Sequence, residues 1–105
     1  MAQRLYCIAE SASGPVKIGI SANIARRLPA LQTGNPRPLH VYASMKLSNA
    51  REVEQMAHKF LADRQLVGEW FNVPVADAMG AVDLIVQGRK PSVWARLWRW
   101  IRGLA

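Results

Sequence analysis

The sequence contains one cysteine, Cys7, and no long run of apolar residues. A single cysteine excludes an internal disulfide framework and a zinc site made of several thiolates. A membrane-spanning helix needs about 18 or more consecutive apolar residues, so we expect none. The N-terminal residues lack the apolar run of a secretory signal peptide. These absences predict a protein of the reducing cytoplasm.

The chain of 105 residues is rich enough in apolar side chains to fold. Half of its residues are hydrophobic and 20% are charged, a balance typical of globular proteins and not of disordered ones. A chain of this length forms one core. We therefore expect one domain over residues 1–88, followed by a segment of different chemistry, residues 89–105.

The net charge of +7 is concentrated in that C-terminal segment, which we call the tail. Residues 89–105 hold five Lys or Arg and no acid, whereas residues 1–88 hold nine Lys or Arg and seven Asp or Glu. Three of the four tryptophans also lie in the tail. The body of the protein is thus only mildly basic, and the tail needs an explanation of its own.

Hydrophobic periodicity predicts the secondary structure of the body. Alternation favours strands over residues 4–9, 16–20 and 39–47, with the first two joined as a hairpin. Helical spacing and N-cap residues favour a helix capped by Ser21 or Asn23, a second one capped by Ser48 or Asn49 that ends near Arg64, and a third from about Val75 to Val86. Residues 68–73 have the pattern of a short extended segment. We expect an α+β fold in which helices flank a small, mostly antiparallel sheet of three strands, with an amphipathic helix appended over residues 92–104.

Two residues conflict with the elements in which they lie. Pro29 falls within the apolar stripe of the first helix, where it should kink the helix or end its first part. Gly19 lies inside the second strand, where glycine costs stability unless backbone or a ligand must approach closely there.

Several short motifs follow one another in an order that is specific in combination. They are Leu5-Tyr6, Val16–Gly19, Arg27-Leu28, Leu31–Pro36, Val53-Glu54 with His58 four residues later, and Gly68–Phe71. This order resembles the GIY-YIG nuclease superfamily, and within it the small T5orf172 or MUG113-like branch, over about residues 4–86. Lys17 stands where the second superfamily motif has a tyrosine, and the first motif keeps only its tyrosine.

The resemblance implies a metal-dependent endonuclease. In this interpretation Glu54 holds Mg²⁺ or Mn²⁺, Arg27 stabilises charge on the phosphate, and Tyr6 with Lys17 activates the attacking water. The chemistry of these groups agrees with those roles. Carboxylates bind Mg²⁺, guanidinium groups bind phosphate oxygens in pairs, and a cation such as Lys17 lowers the pKa of a neighbouring tyrosine.

Two helical positions leave alternatives open. Arg26 is the alternative to Arg27 as the phosphate ligand, or it binds nucleic acid beside it. His58 lies four residues after Glu54 on the same helix face, so it shares the catalytic site or has a structural role. As a site residue, His58 would orient the carboxylate or contact phosphate.

The tail has the pattern of a basic amphipathic helix. Arg96, Arg99 and Arg102 lie on other faces than the tryptophans and suit nucleic-acid phosphates. Such a helix also suits a membrane surface. A third possibility is packing on its own domain, or on a second copy to form a homodimer.

The sequence as a whole favours an endonuclease that hydrolyses DNA, with RNA as an alternative substrate. One competing hypothesis is a nucleic-acid-binding module of the same fold that does not catalyse. The other is a membrane-surface protein that acts through its tail.

Overall fold

The structure is a computed structural model, and it describes residues 3–88. The helix predicted over residues 92–104, with Arg96, Arg99 and Arg102, lies outside the described residues. The elements in chain order are β1 (Gln3–Ala9), β2 (Val16–Ser21), α1 (Ile24–Gln32), β3 (His40–Leu47), α2 (Ala50–Phe60), a short 3₁₀ helix (Ala62–Arg64), β4 (Trp70–Phe71) and α3 (Val75–Val86). This order of strands and helices confirms the predicted α+β class.

The sheet has four strands in the order β3-β1-β2-β4, and every neighbouring pair is antiparallel. The prediction of three strands was therefore wrong by one. The additional strand, β4, is only two residues long and pairs Phe71 with Val16 and Trp70 with Lys17. A strand of two residues is too short to show alternation in the sequence. Its pairing is decided by contacts with β2.

The two faces of the sheet are covered by different helices, as the alternation of β1 requires. Leu5, Cys7 and Ala9 join the main apolar cluster, which includes side chains of α2 and α3. The intervening residues, Tyr6 and Ile8, join a second cluster with Leu39, against which α1 packs. We call the side of the sheet that carries Tyr6 and Ile8 the α1 face.

Helix α1 continues through Pro29, so the expectation that the proline would end its first part was wrong. The Asn23 side chain accepts a hydrogen bond from the Arg26 backbone N–H at 3.1 Å and caps the helix. At the other end, the Thr33 backbone N–H donates to the carbonyl oxygen of Pro29 at 3.2 Å. The cap and the packed apolar stripe offset the hydrogen bond that proline cannot donate.

Helix α2 ends at Phe60 and gives way to the 3₁₀ helix, four residues before the predicted end. Its buried residues are Ala50, Val53 and Ala57, of which Val53 and Ala57 belong to the main cluster. Among residues 3–88, no helix is both long enough and apolar enough to cross a bilayer.

Candidate functional site

The phenol ring of Tyr6 lies against Gly19, its direct partner across β1 and β2. A Cβ atom at position 19 would be 2.6 Å from Cζ of Tyr6 and closer still to its hydroxyl oxygen. The side chain of Tyr6 is only 1% exposed. The group that approaches Gly19 closely is therefore a tyrosine side chain, where the sequence indicated backbone or a ligand, and glycine is required there to seat the ring.

The hydroxyl oxygen of Tyr6 accepts a hydrogen bond from the guanidinium of Arg27. Arg27 itself is exposed on α1, so its remaining N–H groups face solvent. The neighbouring Arg26 donates its backbone N–H to the N-cap, and its side chain is also exposed. Of the two arginines, Arg27 is the one that the helix brings to Tyr6.

Burial raises the pKa of Tyr6 above its usual value of 10. The hydrogen bond from Arg27 acts in the opposite direction, while the nearby carboxylates of Glu69 and Glu54 raise the pKa further. Tyr6 therefore holds its proton at neutral pH, and the hydroxyl is available as a hydrogen-bond donor. In the sequence interpretation a cation lowers this pKa, whereas here burial prevails over Arg27.

Lys17, expected beside Tyr6, is engaged with another residue. Its ammonium group lies 3.3 Å from a carboxylate oxygen of Glu69 and 5.7 Å from the centroid of the Trp70 ring. Lys17 is 9% exposed, whereas the side chain of Glu69 is 40% exposed, so only the lysine side of this ion pair is buried. Lys17 shares the α1 face with Tyr6, but its charge is compensated by Glu69.

Helix α2 brings Glu54 and His58 to the edge of β2. The Glu54 carboxylate accepts a hydrogen bond from the Ile20 backbone N–H. The Nε2 N–H of His58 donates to the Ile18 carbonyl oxygen at 2.8 Å. Strand β4 pairs with β2 only as far as Lys17, so these two side chains satisfy the backbone groups beyond the end of β4.

The pKa of the Glu54 carboxyl group is raised, first by burial and then by the negative charge of Glu69. His58, Arg51 and the Ile20 N–H act against the rise. Glu69, which the sequence interpretation did not include among the site residues, thus influences both Tyr6 and Glu54. The signal for it was its place in the Gly68–Phe71 motif.

The carboxylate oxygens of Glu54 and Glu69 have the chemistry that a hard divalent cation prefers. The negative charge of Glu69 adds to the effect of burial on the pKa of Glu54, and a cation near both carboxylates would reduce their repulsion. Mg²⁺ commonly binds through one or two carboxylates and keeps several waters. Residues 3–88 contain no cluster of three or more His, Cys, Asp or Glu around one point.

The structure thus brings Tyr6, Gly19, Arg27 and Glu54 to one place and adds Glu69. It places Lys17 in the ion pair at one side of this group and His58 at the β2 edge. A buried tyrosine hydroxyl, an exposed guanidinium and two carboxylates suit the binding of a phosphodiester together with a metal ion.

A scan against models of protein families matches the T5orf172 domain over residues 3–86. No curated protein and no solved structure matches the chain. The matched range covers all eight elements of the fold, from β1 to α3.

Proposed function

The chain belongs to the T5orf172 domain family, and from that premise we propose that it is a metal-dependent endonuclease that hydrolyses phosphodiester bonds in DNA. The observation that carries the proposal is the packing of the Tyr6 hydroxyl against Gly19, at a place where Arg27, Glu54 and Glu69 all act on the tyrosine. Phosphodiester hydrolysis needs a group that stabilises charge on the phosphate, a metal ligand and a group that positions water.

Arg27 is the phosphate ligand in this proposal. Arg27 is exposed on α1 and interacts with the Tyr6 hydroxyl, so a phosphate that binds it would lie beside the tyrosine. A guanidinium at this place stabilises the charge that develops on the phosphate oxygens. Arg26, one residue earlier and also exposed, binds the adjoining backbone.

Glu54 is the ligand of Mg²⁺ or Mn²⁺, with Glu69 as the second nearby carboxylate. The ion, when bound, supplies positive charge to the phosphate and lowers the pKa of a bound water. Glu54 is held for this role by the Ile20 N–H, which fixes one side of the carboxylate. His58 keeps α2 against β2 and so sets the position of Glu54.

Tyr6 and Lys17 form the side of the site that activates water. Tyr6 accepts a hydrogen bond from Arg27 and keeps its own proton, so its hydroxyl first orients the water or a phosphate oxygen. Lys17 acts through its ion pair with Glu69, because that pair reduces the negative charge near Tyr6.

The test is incubation of the purified protein with labelled single-stranded, duplex and branched DNA, and with RNA of the same sequences, in Mg²⁺, Mn²⁺ or EDTA. We expect products only with a metal ion. Arg27→Ala should lower the rate by about 10²–10³, the typical effect of removing one charge-stabilising donor. The matched control, Arg26→Ala, should retain most of the rate.

Two results would contradict the proposal. Products formed in EDTA would show that cleavage needs no metal ion. Equal rates for Arg27→Ala and the wild-type protein would show that Arg27 is not the phosphate ligand. Loss of rate in Arg26→Ala, with no loss in Arg27→Ala, would assign the phosphate ligand to Arg26.

The second candidate function is nucleic-acid binding without cleavage. The raised pKa of Tyr6 favours it, because a tyrosine that keeps its proton is a poor base. The compensated charge of Lys17 is consistent with the same interpretation. Under this alternative the protein binds nucleic acid, Arg27 takes part in no reaction, and no products form at any concentration of Mg²⁺ or Mn²⁺.

A further inference from the structure

The α1 face of the sheet continues past Tyr6 as an open surface. Strand register places Tyr6 in one cross-strand row with Gly19 and Ser44. The next row lies two residues before Tyr6 in β1 and has Arg4 between Ser21 and Lys46. Because residues i and i+2 of a strand share a face, both rows lie on the same side of the sheet.

The outer row is exposed and positively charged. Arg4, Ser44 and Lys46 are all exposed to solvent. Arg4 donates a hydrogen bond from Nη1 to the Ser44 hydroxyl at 3.1 Å, which directs its guanidinium along this face toward β3. The six positions of the two rows carry two cations and no acid. We call Arg4, Ser44 and Lys46 the β3 strip.

The opposite side of the site has a different charge. There the ammonium of Lys17 is bound to Glu69, which is 40% exposed. Further toward the hairpin, Glu10 lies 3.5 Å from Arg37. A phosphate chain that left the site in this direction would meet two carboxylates, each already engaged with a basic residue.

We propose that the β3 strip binds the backbone phosphates that adjoin the reacting one, so that the nucleic-acid strand leaves the site over β1 and β3 and not over the hairpin. The inference rests on the proposed function, because Arg27 and Tyr6 define where the reacting phosphate lies. Two residues of a strand span about 6.8 Å, and each strand of a DNA duplex carries one phosphate per about 3.4 Å of helix axis. Arg4 and Lys46 therefore reach phosphates one or two nucleotides away.

The experiment compares substitutions that remove one charge each. Lys46→Gln removes a cation from the strip, and Lys59→Gln removes a cation from an exposed position of α2. Affinity for labelled single-stranded and duplex DNA is measured by anisotropy with the full chain in EDTA, over a range of salt concentrations. Thermal unfolding of each variant is recorded alongside.

We expect Lys46→Gln to flatten the dependence of log K on log salt by about 0.7–0.9, the contribution of one phosphate contact. Arg4→Gln combined with Lys46→Gln should flatten it by about twice as much. Lys59→Gln should leave the slope as in the wild-type protein, and all variants should unfold at similar temperatures.

Equal slopes for Lys46→Gln and Lys59→Gln, with a wild-type protein that binds DNA, would overturn the β3 strip and leave the proposed function standing. A wild-type protein that binds neither DNA form would overturn both. A steeper loss for single-stranded than for duplex DNA would assign the strip to an unpaired strand.

Discussion

The Nε2 N–H of His58 lies 2.8 Å from the carbonyl oxygen of Ile18 and donates to it from outside the sheet. The Ile18 backbone N–H, on the same side of β2, donates to the Glu69 carbonyl oxygen at 3.3 Å. The backbone of Ile18 is thus paired at its N–H with Glu69, the residue before β4, and at its carbonyl oxygen with the His58 side chain of α2. With the bond from Glu54 to Ile20, this arrangement attaches α2 to the sheet edge at two points.

The relation between His58 and Ile18 predicts a positioning role for the histidine. His58→Ala leaves a carbonyl oxygen without its donor and removes the ring that packs 5.0 Å from Phe71. We expect the free energy of unfolding to fall by about 1–3 kcal/mol. Cleavage should slow because Glu54 loses its support, whereas the shape of the pH–rate profile should stay unchanged.

Denaturant unfolding and the pH–rate profile together check this role. Lys59→Ala, an exposed neighbour on the same helix, is the control and should change neither measurement. A pH–rate profile that loses one limb in His58→Ala would instead make the imidazole an acid or base in the reaction.

Gly19→Ala should displace the ring of Tyr6. The new Cβ atom would lie 2.6 Å from Cζ, and the buried ring has no open space to enter. Overpacking of this kind typically costs about 1–3 kcal/mol, and we expect cleavage to be lost as well. Gly80→Ala is the matched control, since nothing lies within 4 Å of the added atom and α3 should gain about 0.5–1 kcal/mol.

A double-mutant cycle measured by denaturant unfolding separates the clash from other effects. In a Tyr6→Ala background the ring is absent, so Gly19→Ala should cost much less than in the wild-type protein. An equal cost in both backgrounds would mean that the glycine is needed for the backbone and not for the tyrosine.

The order of the elements other than β4 and the short 3₁₀ helix, and the shared face of Tyr6, Lys17 and Gly19, could be predicted from the sequence. Alternation along β1 and β2 decides which side chains lie together, because a strand has a period of two. The partner of Lys17 could not be predicted, since it depends on the placement of Glu69 beside β2. The bond between His58 and Ile18 has the same origin, because it exists only where the two-residue β4 ends.

The position of α1 shows the limit of local rules. Pro29 is unfavourable inside a helix by propensity, and from the sequence alone it predicts a kink in the helix or an early end. Packing of the apolar stripe of α1 on the second cluster prevails over it. Arg27 is consequently carried on a helix that continues beyond the proline, with its guanidinium at Tyr6.

Glu54→Gln should make the protein more stable at neutral pH while removing its response to Mg²⁺. The folded-state pKa of Glu54 is raised, so the folded state binds more protons than the unfolded state between the two pKa values. Stability of the wild-type protein therefore falls as pH rises from about 4.5 through the folded pKa, and the variant lacks this fall. The glutamine oxygen can still accept the Ile20 N–H.

Thermal unfolding at several pH values, with and without Mg²⁺, checks this prediction. A cation that binds only the folded protein adds about 2.7 kcal/mol at 100 times its Kd, and only the wild-type protein should show a shift. Glu52→Gln, on the first turn of α2, is the control and should respond like the wild type. An equal Mg²⁺ shift in Glu54→Gln would place the cation elsewhere.

Cys7 should be inert toward thiol reagents in the folded protein. Its side chain is fully buried, and burial raises the pKa of the thiol to about 11. The thiolate is the reactive form, so labelling at pH 8 should require unfolding of β1. The rate of labelling therefore reports on the folding of each variant above, and rapid labelling of the wild-type protein would contradict the buried position.

Deletion of the tail, residues 89–105, should weaken nucleic-acid binding without unfolding the domain. The deletion removes a net charge of +5, and the slope of log K against log salt should flatten by about 0.7–0.9 for each phosphate that the tail neutralises. Among residues 3–88, the two apolar clusters already join the sheet to all three helices, and under the hypothesis that the tail binds nucleic acid we expect a similar melting temperature. The control is the full chain with Arg96→Gln, Arg99→Gln and Arg102→Gln, which keeps the tryptophans and should reproduce most of the change in slope.

A lower melting temperature with an unchanged slope would instead assign the tail to packing on its domain or on a second copy. Binding to anionic vesicles that disappears with the deletion would assign it to a membrane surface.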